Sequence, residues 1–130
     1  MRLAHRDGGS ITLEATLALV VLVPILFSIL QFGGAFQKWI AQDAVAVQGA
    51  RHAAELGGDG PEVRQAIDTS LRASGLDPAT VSVAIEPAAV GWRQPIQVRL
   101  ASEARIAIPF LFSTTLPLRS TAVARGEVAR

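Results

Sequence analysis

Between Ala15 and Gln37 the chain has 23 consecutive residues without a charge, ATLALVVLVPILFSILQFGGAFQ. As a helix this run spans roughly 34 Å at 1.5 Å per residue, enough for a bilayer core of about 30 Å. The whole chain has 130 residues, which leaves room for one compact domain beside that run and no more. Arg2, His5 and Arg6 precede the run, and the positive-inside tendency then puts the N-terminus in the cytoplasm. Lys38 is the only charge just after it, with Trp39 suited to the far interface, so residues from about 38 onward are expected outside. Two plainer explanations stand beside this one. The run is a generic signal anchor, or it is a cleavable secretory signal ending at the small residues Gly33-Gly34-Ala35. Against the latter, the run exceeds the roughly 7–15 residues usual for such a signal.

One acidic residue, Glu14, sits at the margin of the run. A charge at the centre of a membrane helix costs about 2.5–3.5 kcal/mol on insertion scales and less near the ends, so Glu14 is tolerable there but calls for a partner. Its plain alternative is a first-turn carboxylate favoured by the helix dipole by about 0.3–1 kcal/mol. A capping box does not fit, because Ser10 and Glu14 are four residues apart rather than three.

Composition excludes several functions. Net charge is +1 and the basic residues are scattered from Arg51 to Arg130, so there is no electrostatic footprint for nucleic acid. With no cysteine there is neither a disulfide framework nor a thiolate metal site. Five Phe, two Trp and no Tyr supply a stacking platform poorly. Of the two histidines, His5 precedes the span and His52 lies in an Ala-rich helical stretch, with only Asp43 and Asp68 as conceivable partners after folding. Gly57 to Gly60 lacks the Lys-Ser/Thr of a phosphate loop. Neither an enzyme nor a cofactor, metal or small-molecule site is indicated.

The remaining chain reads as an α+β domain. Pro24 is expected to kink the first helix. Gly33-Gly34 reads as a flexible joint, or less readily as a close helix contact. Trp39 to Leu56 continues as helix with Ile40, Ala44, Val47, Ala50 or Arg51, and Ala54 on one side. Ala46, Ala50 and Ala54 form a small-residue row that permits close helix approach. Gly57-Gly58-Asp59-Gly60-Pro61 is a break with a C-cap glycine and an N1 proline. A second, amphipathic helix follows over about Pro61 to Ser74, with Val63, Ile67 and Leu71 on the face expected to meet a sheet, and ends at Gly75. Alternation then predicts strands at Val81–Ile85 and Ile96–Ile108 and a less regular one over Leu118–Val128, with Arg93, Arg99, Glu103 and Arg105 on the solvent side. Pro109 and Pro117 bracket a loop whose Phe110-Leu111-Phe112 either folds back into the core, the favoured reading, or meets a neighbouring subunit or the outer leaflet.

The short basic leader ending in Gly8-Gly9, followed by Ser10-Ile11-Thr12-Leu13-Glu14 and the uncharged run, resembles the processing site of type IV prepilins. The segment FGGAFQKWIAQDAVAVQGARHAAELG resembles TadE-like minor pilins or pseudopilins of the tight-adherence (Flp-type) pilus system, a likeness that covers the first 56 residues well and the rest loosely. The resemblance implies a pilin-like fold: leader 1–9, transmembrane helix 10–37, external continuation 38–56, and a small periplasmic or extracellular domain 57–130. It implies cleavage between Gly9 and Ser10 by a prepilin peptidase, with Glu14 fifth in the mature chain and paired with a neighbouring subunit's new N-terminal amine. It further implies other pilins and the assembly platform as partners, and a single-pass place in a bacterial inner membrane before incorporation into a pilus. Loss of Arg2, Arg6 and Asp7 would bring the net charge from +1 to zero. Two other classes remain open: an uncleaved bitopic scaffold or sensor subunit, and a secreted binding domain released near Ala35.

Overall fold

The computed structural model describes residues 7–128; Arg2, His5 and Arg6, which carry the orientation argument, lie outside them. Helix α1 covers Asp7–Leu56, 50 residues without a break, about 75 Å at 1.5 Å per residue. Pro24 sits inside it and does not end it. Gly33 and Gly34 do not end it either: the joint favoured from sequence is continuous helix, and among the described residues nothing outside the helix's own neighbouring backbone lies within 4 Å of a Cβ placed on either glycine. Poly-apolar helix of this kind propagates through a glycine pair at a cost of only about 1 kcal/mol per residue relative to alanine.

The helix stops where left-handed backbone is required. Gly57 has φ +82°, and the Gly58 amide reaches back to the Ala53 carbonyl at 2.8 Å, the closure of a Schellman cap. Helix α2, Pro61–Ala73, starts with Gly60 as N-cap and Pro61 in its first turn. It ends in a second Schellman closure, with Gly75 at φ +75° and the Leu76 amide on the Leu71 carbonyl at 2.9 Å. The Asp59 carboxylate ties the intervening loop to α2 through two bonds from the Arg64 guanidinium, 2.8 Å and 2.6 Å.

A 3₁₀ turn at Pro78–Thr80, capped by Asp77, leads into a three-stranded antiparallel sheet: β1 Ser82–Glu86, β2 Pro95–Ile108 and β3 Phe112–Arg125, in the order β1-β2-β3. The α+β layout expected from sequence is present. The β2–β3 hairpin departs from expectation. The loop is only Pro109–Leu111, β3 begins at Phe112, and Pro117 lies within β3 opposite Glu103. A proline is admissible there because β3 is an edge strand, where the missing N–H need not cost a ladder bond. The Leu111 amide bonds the Ile108 carbonyl and Phe110 has φ +66°, so Pro109-Phe110 follows the pattern of a type II turn with phenylalanine where glycine is usual. Nor does Phe110-Leu111-Phe112 fold into the core: Phe110 is 97% exposed, Leu111 63% and Phe112 51%.

Two apolar clusters hold the domain. The larger joins Val45, Ala46, Ala50, Ala53 and Ala54 of α1 to Val63, Ile67 and Leu71 of α2 and to Ile85, Ile96, Val98 and Leu100 of the sheet. Of the side traced from sequence, Ala50 and Ala54 are buried but Ile40, Ala44, Val47 and Arg51 are exposed; the buried row runs instead through Gln42, Val45, Ala46, Gly49 and Ala53. The reason is distance. A helix lying close on a sheet and a second helix needs small side chains at the seam, and a Cβ on Gly49 would stand 2.9 Å from Ile67. Gly49→Val is therefore expected to destabilise the domain by about 1–3 kcal/mol through overpacking, read as a lowered urea midpoint in detergent; an unchanged midpoint would show that the seam is not tight.

Candidate membrane-anchoring and assembly surface

The two ends of α1 have opposite fates. Residues 42–54 place a buried row in the domain, while the N-terminal part leaves Ile11, Leu13, Leu17, Leu19, Val20, Val21, Leu22, Ile25 and Leu26 each more than half exposed. This is one helix long and apolar enough to cross a bilayer, with a mean hydropathy of 2.5 over its most apolar window. The bare surface far exceeds the few hundred Å² of apolar patch that a monomeric soluble protein usually shows. It is compatible with a single-pass anchor, since lipid covers such a surface while the helix pairs its own backbone groups, the carbonyl facing Pro24 excepted, and membrane helices tolerate such an interruption.

Gly9, Ser10 and Glu14 all lie on the exposed surface of α1's first turns. Among the described residues nothing outside the helix's own neighbouring backbone approaches a Cβ on Gly9 within 4 Å. Thr16 turns its hydroxyl inward, donating to the Thr12 carbonyl at 2.8 Å, and Ser28 does the same to Pro24 at 2.7 Å. These polar side chains are thus satisfied within the helix and cost little in lipid. Ala46, Ala50 and Ala54 lie elsewhere, at 0%, 1% and 2% exposure inside the larger core. His52 stands beside Glu55, 3.5 Å away at the surface, and not beside Asp43 or Asp68.

Where the helix leaves the bare segment, three side chains fasten it to the hairpin. The Lys38 ammonium donates to the Glu103 carbonyl at 2.7 Å, just past the part of β2 that β1 covers. Trp39 Nε1 donates to the Arg119 carbonyl at 3.0 Å. Gln42, fully buried, sends Nε2 to the Leu100 carbonyl at 3.0 Å and to the Leu118 carbonyl and Ser120 Oγ at 3.4 Å, while Ser102 donates its hydroxyl to Gln42 Oε1. Sequence marks Lys38 as the charge that follows the run and Trp39 as suited to the interface, and gives Gln42 no role; together they form a polar latch between helix and sheet. Sequence offers one weak signal for Gln42: it lies seven residues after Ala35, on the same helical stripe.

Below the latch, Ala35 packs with Ala104, Ile106, Ile108 and Leu118. Beside it Phe36 and Trp39, with centroids 5.8 Å apart, open an apolar groove with Phe32, Leu116 and Leu118. An outward stripe of Phe36, Ile40, Ala44 and Val47 carries the bare surface on into the domain-bearing half of α1.

Residues 9–51 match the model of a protein family described as TadE-like protein. The match begins at Gly9, spans the bare segment and the latch, and stops before α2 and the sheet. Over that segment the chain is similar to a structural, pilus-associated kind of protein. No curated protein and no solved structure matches the chain.

Proposed function

We propose that the chain is a minor pilin or pseudopilin of a Tad-type pilus, made as a membrane precursor, processed between Gly9 and Ser10 by a prepilin peptidase, and then used to initiate, cap or stabilise the filament. The observation that carries this reading is the division of α1: a bare apolar half holding one carboxylate, Glu14, continuous with a half built into a folded domain. The family match over residues 9–51 falls on that same helix. The precursor sits in a bacterial inner membrane with its N-terminus cytoplasmic, residues 10–37 as the transmembrane unit, 38–56 as its external continuation and 57–130 periplasmic.

Cleavage changes the electrostatics of the anchor. Before it, the Ser10 nitrogen is a neutral amide; after it, an ammonium lies one turn of helix from the Glu14 carboxylate of its own chain and is free to pair with that of a neighbour. Such a pair is worth forming in low dielectric because either charge left alone there is strongly unfavourable. The scissile bond lies within α1's first turns, where helix ends open at little free-energy cost, so the peptidase meets an unwound substrate. The exposed stripe Phe36-Ile40-Ala44-Val47 supplies apolar contact for other pilins and the assembly platform outside the bilayer.

Protease added to intact spheroplasts tests the topology. Residues 57–130 are expected to be digested from outside and the span to remain with the membrane. Digestion only after lysis would reverse the orientation and remove the pilin reading with it.

A further inference from the structure

We propose that the tip of the β2–β3 hairpin, Pro109–Phe112, is a second membrane contact, resting in the outer leaflet beside α1 and fixing how deep α1 sits. The inference rests on the single-pass reading above, because depth is measured against that span.

Three observations converge. The first is direction. Along α1 from the domain downward, Gln42 meets Leu100 and Ser102, Lys38 meets Glu103, and Ala35 packs with Ile106 and Ile108. The hairpin therefore runs antiparallel to the helix, toward the bare segment. Ala104 and Arg105 already border a cleft with Leu30 and Gln31. The tip is five residues further, up to roughly 16 Å at 3.3 Å per strand residue. That distance matches the half-buried positions Pro24, Ser28 and Gln31, which continue the Ala35 stripe toward the N-terminus. The tip thus stands level with part of the uncharged run.

The second is composition. Between Arg105 and Arg119 no residue of the hairpin is charged, and the apex shows Phe110, Leu111 and Phe112 to the outside. Arg105, opposite Thr115, is the charge nearest the tip and borders the cleft with Leu30 and Gln31, where a guanidinium reaches headgroup phosphates while its stem lies along apolar surface; Arg119, opposite Ala101, stands four residues further from the tip. The third is the turn itself: Phe110 holds a positive φ that glycine would adopt without strain, so an aromatic is kept at the one apex position that disfavours it.

The open edge of β3 limits the depth. Unpaired backbone groups are not tolerated in hydrocarbon, so only the turn and its side chains enter, at the boundary of headgroups and acyl chains. With the hairpin as a stop, the bilayer's outer boundary falls near residues 28–31 of α1. A core of about 30 Å then reaches back some 20 helical residues, to the neighbourhood of Ser10. Residues 32–37, uncharged and included above in the transmembrane unit 10–37, then lie outside the lipid under the hairpin and in the groove at Phe32 and Phe36, which shortens that unit at its outer end.

The absence of cysteine makes the test direct. Phe110→Cys, Leu22→Cys and Glu62→Cys, each in the full chain, are labelled with an environment-sensitive fluorophore and reconstituted in phosphatidylglycerol-containing vesicles carrying nitroxide lipids, with the nitroxide either near the headgroup or near the chain end. Position 110 is expected to be quenched more by the shallow nitroxide and to be shielded at least several-fold from aqueous iodide relative to position 62. Position 22 is expected to be quenched more by the deep one. Iodide access at 110 equal to that at 62, with position 22 buried, would overturn the hairpin contact and leave the span intact. An aqueous position 22 would remove both. Shielding at 110 that disappears when the protein is diluted in lipid would assign the tip to a neighbouring copy and overturn the membrane contact.

Discussion

Gln42→Ala is expected to lower the stability of the external domain by about 3–5 kcal/mol, the largest loss from any single polar side chain here. The Gln42 amide satisfies Ser102 and Ser120 in a region where both hydroxyls are buried, at 7% and 3% exposure. Each buried polar group left without a partner costs about 1–3 kcal/mol, and truncation adds a cavity between helix and sheet. Gln42→Leu separates the two effects: it refills the volume, leaves the hydroxyls stranded, and is expected to lose about 2–3 kcal/mol. Adding Ser102→Ala to Gln42→Leu should recover part of that loss, since the two residues share one hydrogen bond. Urea unfolding in detergent, followed by the fluorescence of Trp39 and Trp92, gives the midpoints. A Gln42→Leu midpoint equal to that of the parent would mean that the latch adds nothing beyond filling space.

The second large effect concerns assembly rather than folding. Glu14→Leu is expected to enter the membrane as well as the parent, because it removes a carboxylate from the span, and to be processed normally. Its association with other pilins is expected to fall by two orders of magnitude or more. The reason is that breaking one half of a buried ion pair costs about 3–5 kcal/mol, and each 1.4 kcal/mol is a factor of ten. Glu14→Gln, which keeps the shape and a hydrogen-bond acceptor for the ammonium but no charge, should fall between them. Co-purification from membranes with a tagged filament partner measures it. Equal recovery of the parent and the leucine variant would show that Glu14 is a solvated first-turn carboxylate and no part of an interface.

Much of the architecture was legible in the sequence because the signals were local. Gly57 and Gly75 end their helices through caps that need left-handed backbone, and Val63-Ile67-Leu71 is the buried row of α2. The lower-lying errors share one cause. In α1 the large apolar residues Ile40 and Val47 pointed to the wrong face, because a seam close enough to place Ile67 against Gly49 selects glycine and alanine. The hairpin shows a related limit: hydrophobicity favours the core over an outer contact for Phe110, Leu111 and Phe112, yet all three are exposed, and Pro117 sits on an edge strand rather than closing a loop. Sequence patterns mark which residues avoid water, and they do not say whether protein or lipid replaces it. Gln42 carries only a weak stripe signal for the opposite reason, since its burial depends on carbonyls and hydroxyls 58 to 78 residues away.

Assembly as proposed depends first on removal of the leader. Its most direct measurement is the intact mass, with N-terminal sequencing, of the protein recovered from the membranes and filaments of its host. Ser10 is expected as the first residue. A fully active protein that still begins at Met1 would leave no free ammonium to pair with Glu14 and would contradict it.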